Sequence, residues 1–337
     1  MRKIIIILSP NTTVTANNFK IIADAGEKTN NQVVEVHSCE QARTIGNKTD
    51  VFVTSTANDV INLKGHGFNR ILFWVQGIIP EESYMRHKSR LRSGFLSWKE
   101  KRALKRASLC AFVSEPMREH YEKKYSLDFK GNYYIFPCFN TQIVSEAFDY
   151  EAKYKNNYFV YAGGLAIWQC FGKTLNIYKE VEKWGLPNTK LIVLTKDQER
   201  ARKCIDDCGI QNFEIDFTTP DDLPNILKKA KFGFVIREDS PVNRVATPTK
   251  ISTYLSCGLI PIFGKSVETF RRLSDQMTYK VVWDDTNAAY DIIRSFMNME
   301  INPSKVREEY NQFFEENYSY ERHVAAISII IQKLMEE

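Results

Sequence analysis

The chain has 337 residues, of which 43% are hydrophobic and 26% are charged, with a formal net charge of +5. This composition is ordinary for a soluble globular protein and argues against disorder, and the length predicts two domains. Seven cysteines occur without CxxC or Cys/His ligand spacing, which favours a reduced, cytosolic compartment.

Six short apolar runs in the first half predict β-strands, with helix-period segments between most of them. The first run has five apolar residues before Ser9, too few for a signal peptide or a membrane span. The predicted strands are Lys3 to Leu8, Val33 to Val36, Val51 to Thr54, Arg70 to Val75, Leu109 to Val113 and Tyr133 to Phe136. This alternation predicts a parallel, doubly wound α/β sheet.

A charged, Asn-rich segment, DYEAKYKNN at 149–157, predicts a linker, and a second α/β series follows it. Its predicted strands are Tyr158 to Ala162, Leu191 to Leu194, Phe213 to Phe217, Phe232 to Ile236, Leu259 to Phe263 and Tyr279 to Val282. From Pro303 onward the pattern is helical. The sequence therefore predicts two similar α/β halves, with a ligand site in the cleft between them.

The segment from Lys231 to Phe263 predicts an anion site. A short strand is followed by a polar loop, and Pro248, Thr249 and Lys250 then open an apolar-periodic helix. The first turn of a helix has unpaired N–H groups and roughly half a positive charge. With Lys250 and Arg237 added, this helix start would suit a diphosphate.

A second turn, YAGGLAIWQCFGKT at 161–174, follows a predicted strand and precedes a helix. Gly163 and Gly164 sit where the backbone turns sharply or approaches a ligand, and a plain βα turn is the alternative. A P-loop is rejected because Ile167 stands where its first glycine is required. The G-x-G-x-x-G fingerprint is also missing after the first strand, which argues against a nicotinamide dehydrogenase.

Several motifs together resemble bacterial glycosyltransferases of the GT-B fold, family 4 type, which act in surface-polysaccharide assembly. They are GGLAIWQ at 163–169, the spacing R-x5-N-x6-K at 237–250, and PTKISTYLSCGLIPI at 248–262. In the first half, WVQGIIPEE (74–82), FVSEPMREHY (112–121) and IFPCFN (135–140) are similar to the family's cleft-facing loops. The resemblance implies two facing Rossmann-like domains. Residues 1–150 with a returning C-terminal helix at about 317–337 would form the acceptor domain, and 151–316 the donor domain.

The resemblance also implies which residues bind the nucleotide-sugar donor. Arg237 and Lys250 are the implied diphosphate contacts, and Thr249 at the helix start adds backbone donors. Asn243 is a further implied donor-binding residue, Gly163 and Gly164 allow close approach, and Trp168 and Gln169 lie near the donor. Simple packing is the alternative for Trp168. Two positions depart from the family, because Thr253 and Ala246 stand where glutamates are common. The Thr253 hydroxyl can still bond the ribose of the donor, though less strongly than a carboxylate. Glu238 is the candidate for contacting the sugar, and an exposed loop acid is its equal alternative.

On the acceptor side, Gln76 and Gly77 end a predicted strand, and Glu81 follows Pro80 at a helix start. An acid at a helix N-terminus also has a purely structural explanation. Residues 86–106 hold nine Lys or Arg and one Glu, interleaved with aromatic and apolar residues. This stretch predicts contact with an anionic membrane surface or a lipid-diphosphate acceptor, and a solvated helix face is the alternative. The charge excess is local, which argues against nucleic acid.

The sequence thus predicts a cytoplasmic glycosyltransferase, peripheral at the inner face of the membrane, that moves a sugar from a nucleotide diphosphate to a saccharide or lipid-linked saccharide. The resemblance implies retention at the anomeric carbon. We expect no cofactor and no metal, because fixed cations can stabilise a diphosphate leaving group. Two alternatives remain open: a catalytically inactive donor-binding partner subunit and a nucleotide-sugar epimerase.

Overall fold

The structure is a computed structural model that describes residues 2–8 and 15–336. Part of the turn in which the dinucleotide fingerprint is missing, residues 9–14, lies outside the described residues. The helices are α1 (Ala16–Glu27), α2 (Cys39–Ile45), α3 (Ala57–Gly65), α4 (Ile79–His87), α5 (Arg90–Arg106), α6 (Glu115–Tyr125), α7 (Phe171–Glu182), α8 (Gln198–Cys208), α9 (Leu223–Leu227), α10 (Pro241–Val245), α11 (Thr249–Ser256), α12 (Glu268–Leu273), α13 (Asn287–Asn298), α14 (Pro303–Asn317) and α15 (Tyr320–Glu336).

The first sheet contains six parallel strands among the described residues, in the order β2-β1-β3-β4-β5-β6. They are β1 (Lys3–Ile7), β2 (Gln32–Val36), β3 (Val51–Thr54), β4 (Ile71–Val75), β5 (Leu109–Phe112) and β6 (Tyr133–Ile135). The four isoleucines of β1 are at most 4% exposed. Such continuous apolar runs are typical of central parallel strands, which are covered on both faces.

The second sheet has six parallel strands in the described chain, in the order β12-β11-β10-β7-β8-β9. They are β7 (Asn157–Ala162), β8 (Thr189–Leu194), β9 (Phe213–Asp216), β10 (Phe232–Val235), β11 (Ile260–Gly264) and β12 (Val281–Trp283). The chain runs outward from β7 on one side and from β10 on the other. In doubly wound sheets the crevice at such a switch point is where ligands bind.

The predicted architecture of two doubly wound α/β sheets is confirmed, and all twelve predicted strands occur in the described chain. Most strand ends agree within one or two residues. The last strand is shifted, since it was predicted to begin at Tyr279 and begins at Val281. The backbone N–H of Tyr279 donates to Glu309 Oε1 of α14 at 2.9 Å. Because this N–H is bonded to a side chain, it does not pair with a neighbouring strand, and β12 begins later.

The chain divides into two compact units. The first comprises Met1–Asn140, Arg244–Thr247 and Tyr318–Glu337, and the second comprises Thr141–Asn243 and Pro248–Asn317. Helix α15 belongs to the first unit, where Ser328 Oγ donates to the Ala25 carbonyl of α1 at 3.0 Å. The apolar side of α15, including Ile327 and Ile331, is buried there.

None of the helices in the described part of the chain combines the length and the apolar composition that a membrane-spanning segment needs.

Candidate functional site

Three of the predicted donor residues come together at the switch point of the second sheet. Gly163 directly follows β7, Arg237 follows β10, and Lys250 lies in the first turn of α11. Strands β7 and β10 are parallel neighbours, with Phe159 opposite Phe232. Their carboxyl ends therefore lie side by side, which brings residues far apart in sequence to one edge of the sheet.

Gln169 lies between the two cations of this edge. Its Oε1 atom accepts a hydrogen bond from Arg237 Nη1 at 2.6 Å and another from Lys250 Nζ at 2.7 Å. Arg237 Nη1 also donates to the Trp168 carbonyl at 2.7 Å. Guanidinium and ammonium groups can only donate, so the amide oxygen faces both of them. We refer to Arg237 and Lys250 as the cationic pair.

The cationic pair is partly buried. Burial lowers the pKa of Lys250 well below its ordinary value, and the nearby Arg237 guanidinium lowers it further. Burial also lowers the pKa of Arg237. Within the described residues no carboxylate forms an ion pair with either side chain. Two partly buried positive groups without a counter-ion favour an anionic ligand, because its charge would offset both their repulsion and their desolvation.

Gly163 leaves the space that Lys250 occupies. Its φ of +135° is accessible almost exclusively to glycine, and a Cβ atom there would lie 2.7 Å from Lys250 Cε and 2.9 Å from Lys250 Nζ. On another side, Lys250 Nζ lies 4.3 Å from the centre of the Tyr161 ring, a cation–π contact. The ammonium is therefore positioned by the βα turn and by the strand before it.

Two further contacts, not foreseen from the sequence, fix this arrangement. The Tyr254 hydroxyl of α11 accepts a hydrogen bond from the Ala162 N–H at the end of β7, at 2.9 Å. The Ser266 hydroxyl donates to the Arg237 carbonyl at 2.8 Å. A side chain on Gly233 would overlap the Tyr254 ring. A glycine inside a strand often marks such a close approach, so Gly233 was the one sign in the sequence that α11 packs tightly against β10.

No protein-family model matches the chain, and no curated protein matches it by sequence. Its structure is similar to that of a sucrose-phosphate synthase from Thermosynechococcus elongatus, with a TM-score of 0.74, 13% identity and 100% of both chains covered. A glycosyltransferase from Rickettsia africae ESF-5 gives a TM-score of 0.68 at 11% identity, covering 100% of this chain and 99% of that one. The chain has the GT-B fold.

A third GT-B protein, an α,α-trehalose-phosphate synthase (UDP-forming) from Burkholderia xenovorans, matches with a TM-score of 0.59 and 11% identity, over 89% of this chain and 75% of that one. Identities this low establish the fold alone. The GT-B fold expected from the motifs is confirmed by these comparisons.

The other predicted donor residues of this GT-B chain differ in their exposure and in their hydrogen bonds. Asn243 is 3% exposed, and its Nδ2 donates to the Glu238 carbonyl at 2.8 Å, so it shapes the loop after β10. The Glu238 side chain is exposed. The Thr253 hydroxyl donates to the Thr249 carbonyl at 3.0 Å, inside α11. Trp168 meets Arg237 through its carbonyl and not through its ring.

The predicted acceptor residues belong to the first unit, where Gln76 and Gly77 directly follow β4. The Gln76 Nε2 atom is buried and has no hydrogen-bond partner among the described residues. The Tyr121 hydroxyl of α6 donates to the Gly77 carbonyl at 2.9 Å. The turn after β4 is therefore fixed to α6, while the neighbouring amide is left without an acceptor.

Glu81, the third predicted acceptor residue, forms an ion pair with Lys124 and lies close to His120. Its Oε1 lies 2.7 Å from Lys124 Nζ and 3.2 Å from His120 Nε2, both on α6. Burial alone would raise the pKa of Glu81, but His120 and Lys124 outweigh it and hold the pKa below its usual value. Lys124 also lies 3.2 Å from buried Glu100 of α5. These contacts connect α4, α5 and α6, so a structural role explains the presence of a glutamate at position 81.

Among residues 2–8 and 15–336, no group of three or more His, Cys, Asp or Glu side chains is arranged to hold a metal ion.

Proposed function

We propose that the protein is a glycosyltransferase that moves a sugar from a nucleotide-diphosphate donor to a saccharide or lipid-linked saccharide. The observation that carries this proposal is the cationic pair, which shares Gln169 Oε1 at the switch point of the second sheet. Proteins of the same fold include a sucrose-phosphate synthase and a UDP-forming trehalose-phosphate synthase. A uridine diphosphate donor is therefore the first to test.

In this proposal a diphosphate oxygen takes the place that Gln169 Oε1 holds between Arg237 and Lys250. A phosphate oxygen carries more negative charge than an amide oxygen, so both hydrogen bonds become charge-assisted. The bound charge also raises the lowered pKa of Lys250, which keeps the ammonium protonated. The N–H groups at the start of α11 add donors to the same phosphates.

The same groups then promote the reaction. As the bond from the anomeric carbon to the phosphate oxygen breaks, negative charge grows on the departing diphosphate, and the cationic pair stabilises it. The acceptor hydroxyl forms the new bond, and its proton passes to the leaving phosphate. This chemistry needs no metal ion and, on the resemblance to family 4, retains the anomeric configuration.

Nucleotide binding tests the proposal directly. Thermal-shift measurements with UDP, GDP, dTDP and ADP should raise the melting temperature with at least one of them, because a ligand that binds only the folded state stabilises it by RT ln(1 + [L]/Kd). The shift should persist in EDTA and should exceed that given by the monophosphate. Absence of a shift with every diphosphate at millimolar concentration would contradict the proposal.

A donor-binding subunit without turnover is the second candidate. It is favoured by Thr253, whose hydroxyl bonds within its own helix where the family often has a glutamate. Donor hydrolysis separates the two, because the enzyme should release free sugar slowly from a UDP-sugar even when water is the acceptor. Binding without hydrolysis or transfer would favour the subunit.

We also propose that α5 binds the cytoplasmic face of an anionic membrane. Leu91, Phe95 and Trp98 are 91%, 57% and 55% exposed, and Phe95 and Trp98 stack with their ring centres 6.2 Å apart. Arg102 lies over the Trp98 ring at 5.4 Å. Glu100, the one acid of the stretch 86–106, is 4% exposed, so the surface it leaves is cationic and apolar. This combination suits the interface of an anionic bilayer.

Charge reversal on α5 should weaken membrane binding. Arg92→Glu with Lys105→Glu should lower the partition coefficient onto phosphatidylglycerol vesicles at least about tenfold, because each basic residue near such a surface contributes about 1 kcal/mol. The matched control is Lys123→Glu with Lys130→Glu, which changes net charge equally at exposed sites of the same unit. Cosedimentation measures both, and binding should fall as salt rises. Equal binding of the two variants would refute the role of α5.

A further inference from the structure

Glu82 of α4 differs from its neighbour Glu81 in having no partner. It is partly buried, and among the described residues its side chain makes no hydrogen bond or ion pair, with Arg86 and Glu81 acting on it only as nearby charges. Burial raises the pKa of Glu82, Arg86 opposes this, and Glu81 adds to it. A carboxyl group taken partly out of water without hydrogen bonds is costly, and folded proteins seldom leave one so without a reason.

The Glu82 carboxyl lies against the turn that ends β4. A Cβ atom on Gly77 would overlap Glu82 Oε1, so the glycine makes room for this carboxyl. The residue before it, Gln76, has the buried amide nitrogen that lacks an acceptor in the described chain. Tyr121 fixes the Gly77 carbonyl, which anchors the turn on which both groups depend.

The two unsatisfied groups are complementary. An amide N–H donates and a carboxylate accepts, yet among the described residues Gln76 Nε2 does not donate to the Glu82 carboxyl. A hydroxyl group can serve both, because its oxygen accepts from the amide while its hydrogen is donated to the carboxylate. A sugar offers several such hydroxyls on a rigid ring.

We propose that Glu82, together with the Gln76 amide, binds a hydroxyl group of the saccharide acceptor, and that Glu81 does not. This inference rests on the proposed function, which supplies a saccharide as the second substrate. Glu82 takes the place assigned to Glu81 from the sequence, because Lys124 and His120 already engage Glu81. In this proposal the hydroxyl group of the saccharide substrate donates its hydrogen to the Glu82 carboxylate.

The test uses the Gln76 side-chain amide as a reporter. In the full-length 15N-labelled protein, this signal is assigned with Gln76→Glu and followed by NMR while methyl glucoside, galactoside and mannoside and their disaccharides are added, with and without UDP. At least one saccharide should shift the Gln76 signal. Glu82→Gln should weaken that saccharide's binding at least tenfold, Glu82→Asp should weaken it less, and Glu81→Gln should leave it within twofold.

Gly77→Ala provides a variant that keeps the carboxyl but displaces it, and it should weaken saccharide binding in the same direction as Glu82→Gln. Circular dichroism checks that each variant is folded, and Glu82→Gln should not lower the melting temperature because it removes a partly buried charge. Where a glycoside serves as acceptor, Glu82→Gln should raise its KM.

Two results would overturn the inference. One is saccharide binding that is unchanged in Glu82→Gln, and the other is a Gln76 signal that no saccharide moves. UDP binding is scored separately by its own thermal shift. Absence of binding by every nucleoside diphosphate refutes the proposed function, whereas diphosphate binding with an unresponsive Gln76 refutes this inference alone.

Discussion

Replacing Lys250 with Met should lower the rate of sugar transfer by at least about 10²–10³-fold, the usual cost of removing one group that stabilises developing charge. Lys250 Nζ lies 2.7 Å from Gln169 Oε1, in the place where we expect a phosphate oxygen, and no other lysine in the described chain contacts this group. Steady-state kinetics with a UDP-sugar would measure the loss. Both kcat and the affinity for UDP should fall, because the cation binds the diphosphate before and during its departure.

Lys250→Met should not destabilise the protein, because burial and Arg237 already disfavour the ammonium there. The matched control is Lys173→Met, which removes a lysine of the same unit that pairs with Asp285 at 2.7 Å near the surface. That variant should keep its activity within about twofold, since exposed ion pairs contribute little. Full activity in Lys250→Met, or equal losses in both variants, would contradict the assignment of the cationic pair.

The second large effect is expected at the adjacent glycines, where Ala substitutions should have different consequences. Gly163→Ala places a methyl group against Lys250 Cε at 2.7 Å, in a backbone conformation that costs a non-glycine residue about 1–3 kcal/mol. We expect a lower melting temperature and at least a tenfold higher Kd for UDP, because Lys250 must move.

Gly164→Ala should behave otherwise, since a Cβ atom there has no neighbour within 4 Å. The melting temperature should be unchanged, while UDP binding should still weaken if the diphosphate lies against this turn. Calorimetry of both variants with UDP measures each effect. Normal UDP binding by both would contradict a diphosphate site at this turn and leave the glycines as parts of a plain βα turn.

The architecture was predictable because strands and helices alternate with clear periods and apolar strand cores. Ile4 to Ile7 are so uniformly apolar that only a buried parallel strand fits them. Strand ends were less predictable where a distant side chain decides them, as Glu309 does for the residues before β12. That hydrogen bond joins positions far apart in the chain and leaves no local pattern.

The candidate site was predictable in its residue types and less so in its contacts. Arg237 and Lys250 were predicted from the helix start and the family resemblance, and Gln169 from the resemblance, but the shared Gln169 oxygen depends on how the turn after β7 folds back. The choice between Glu81 and Glu82 could not be made from sequence, because both follow Pro80. The two glutamates are distinguished only by the packing of α6, which places Lys124 beside Glu81. Their roles in binding stay predictions.

The interrupted path of the chain has a consequence for biosynthesis. The second unit is complete once residue 317 has been made, whereas the first still lacks α15, which buries Ile327 and Ile331 against it. Domains usually fold in the order of synthesis, from the N-terminus. Here the part translated first cannot cover that apolar surface until α15 has been made, whereas the portion begun later needs no residue beyond 317.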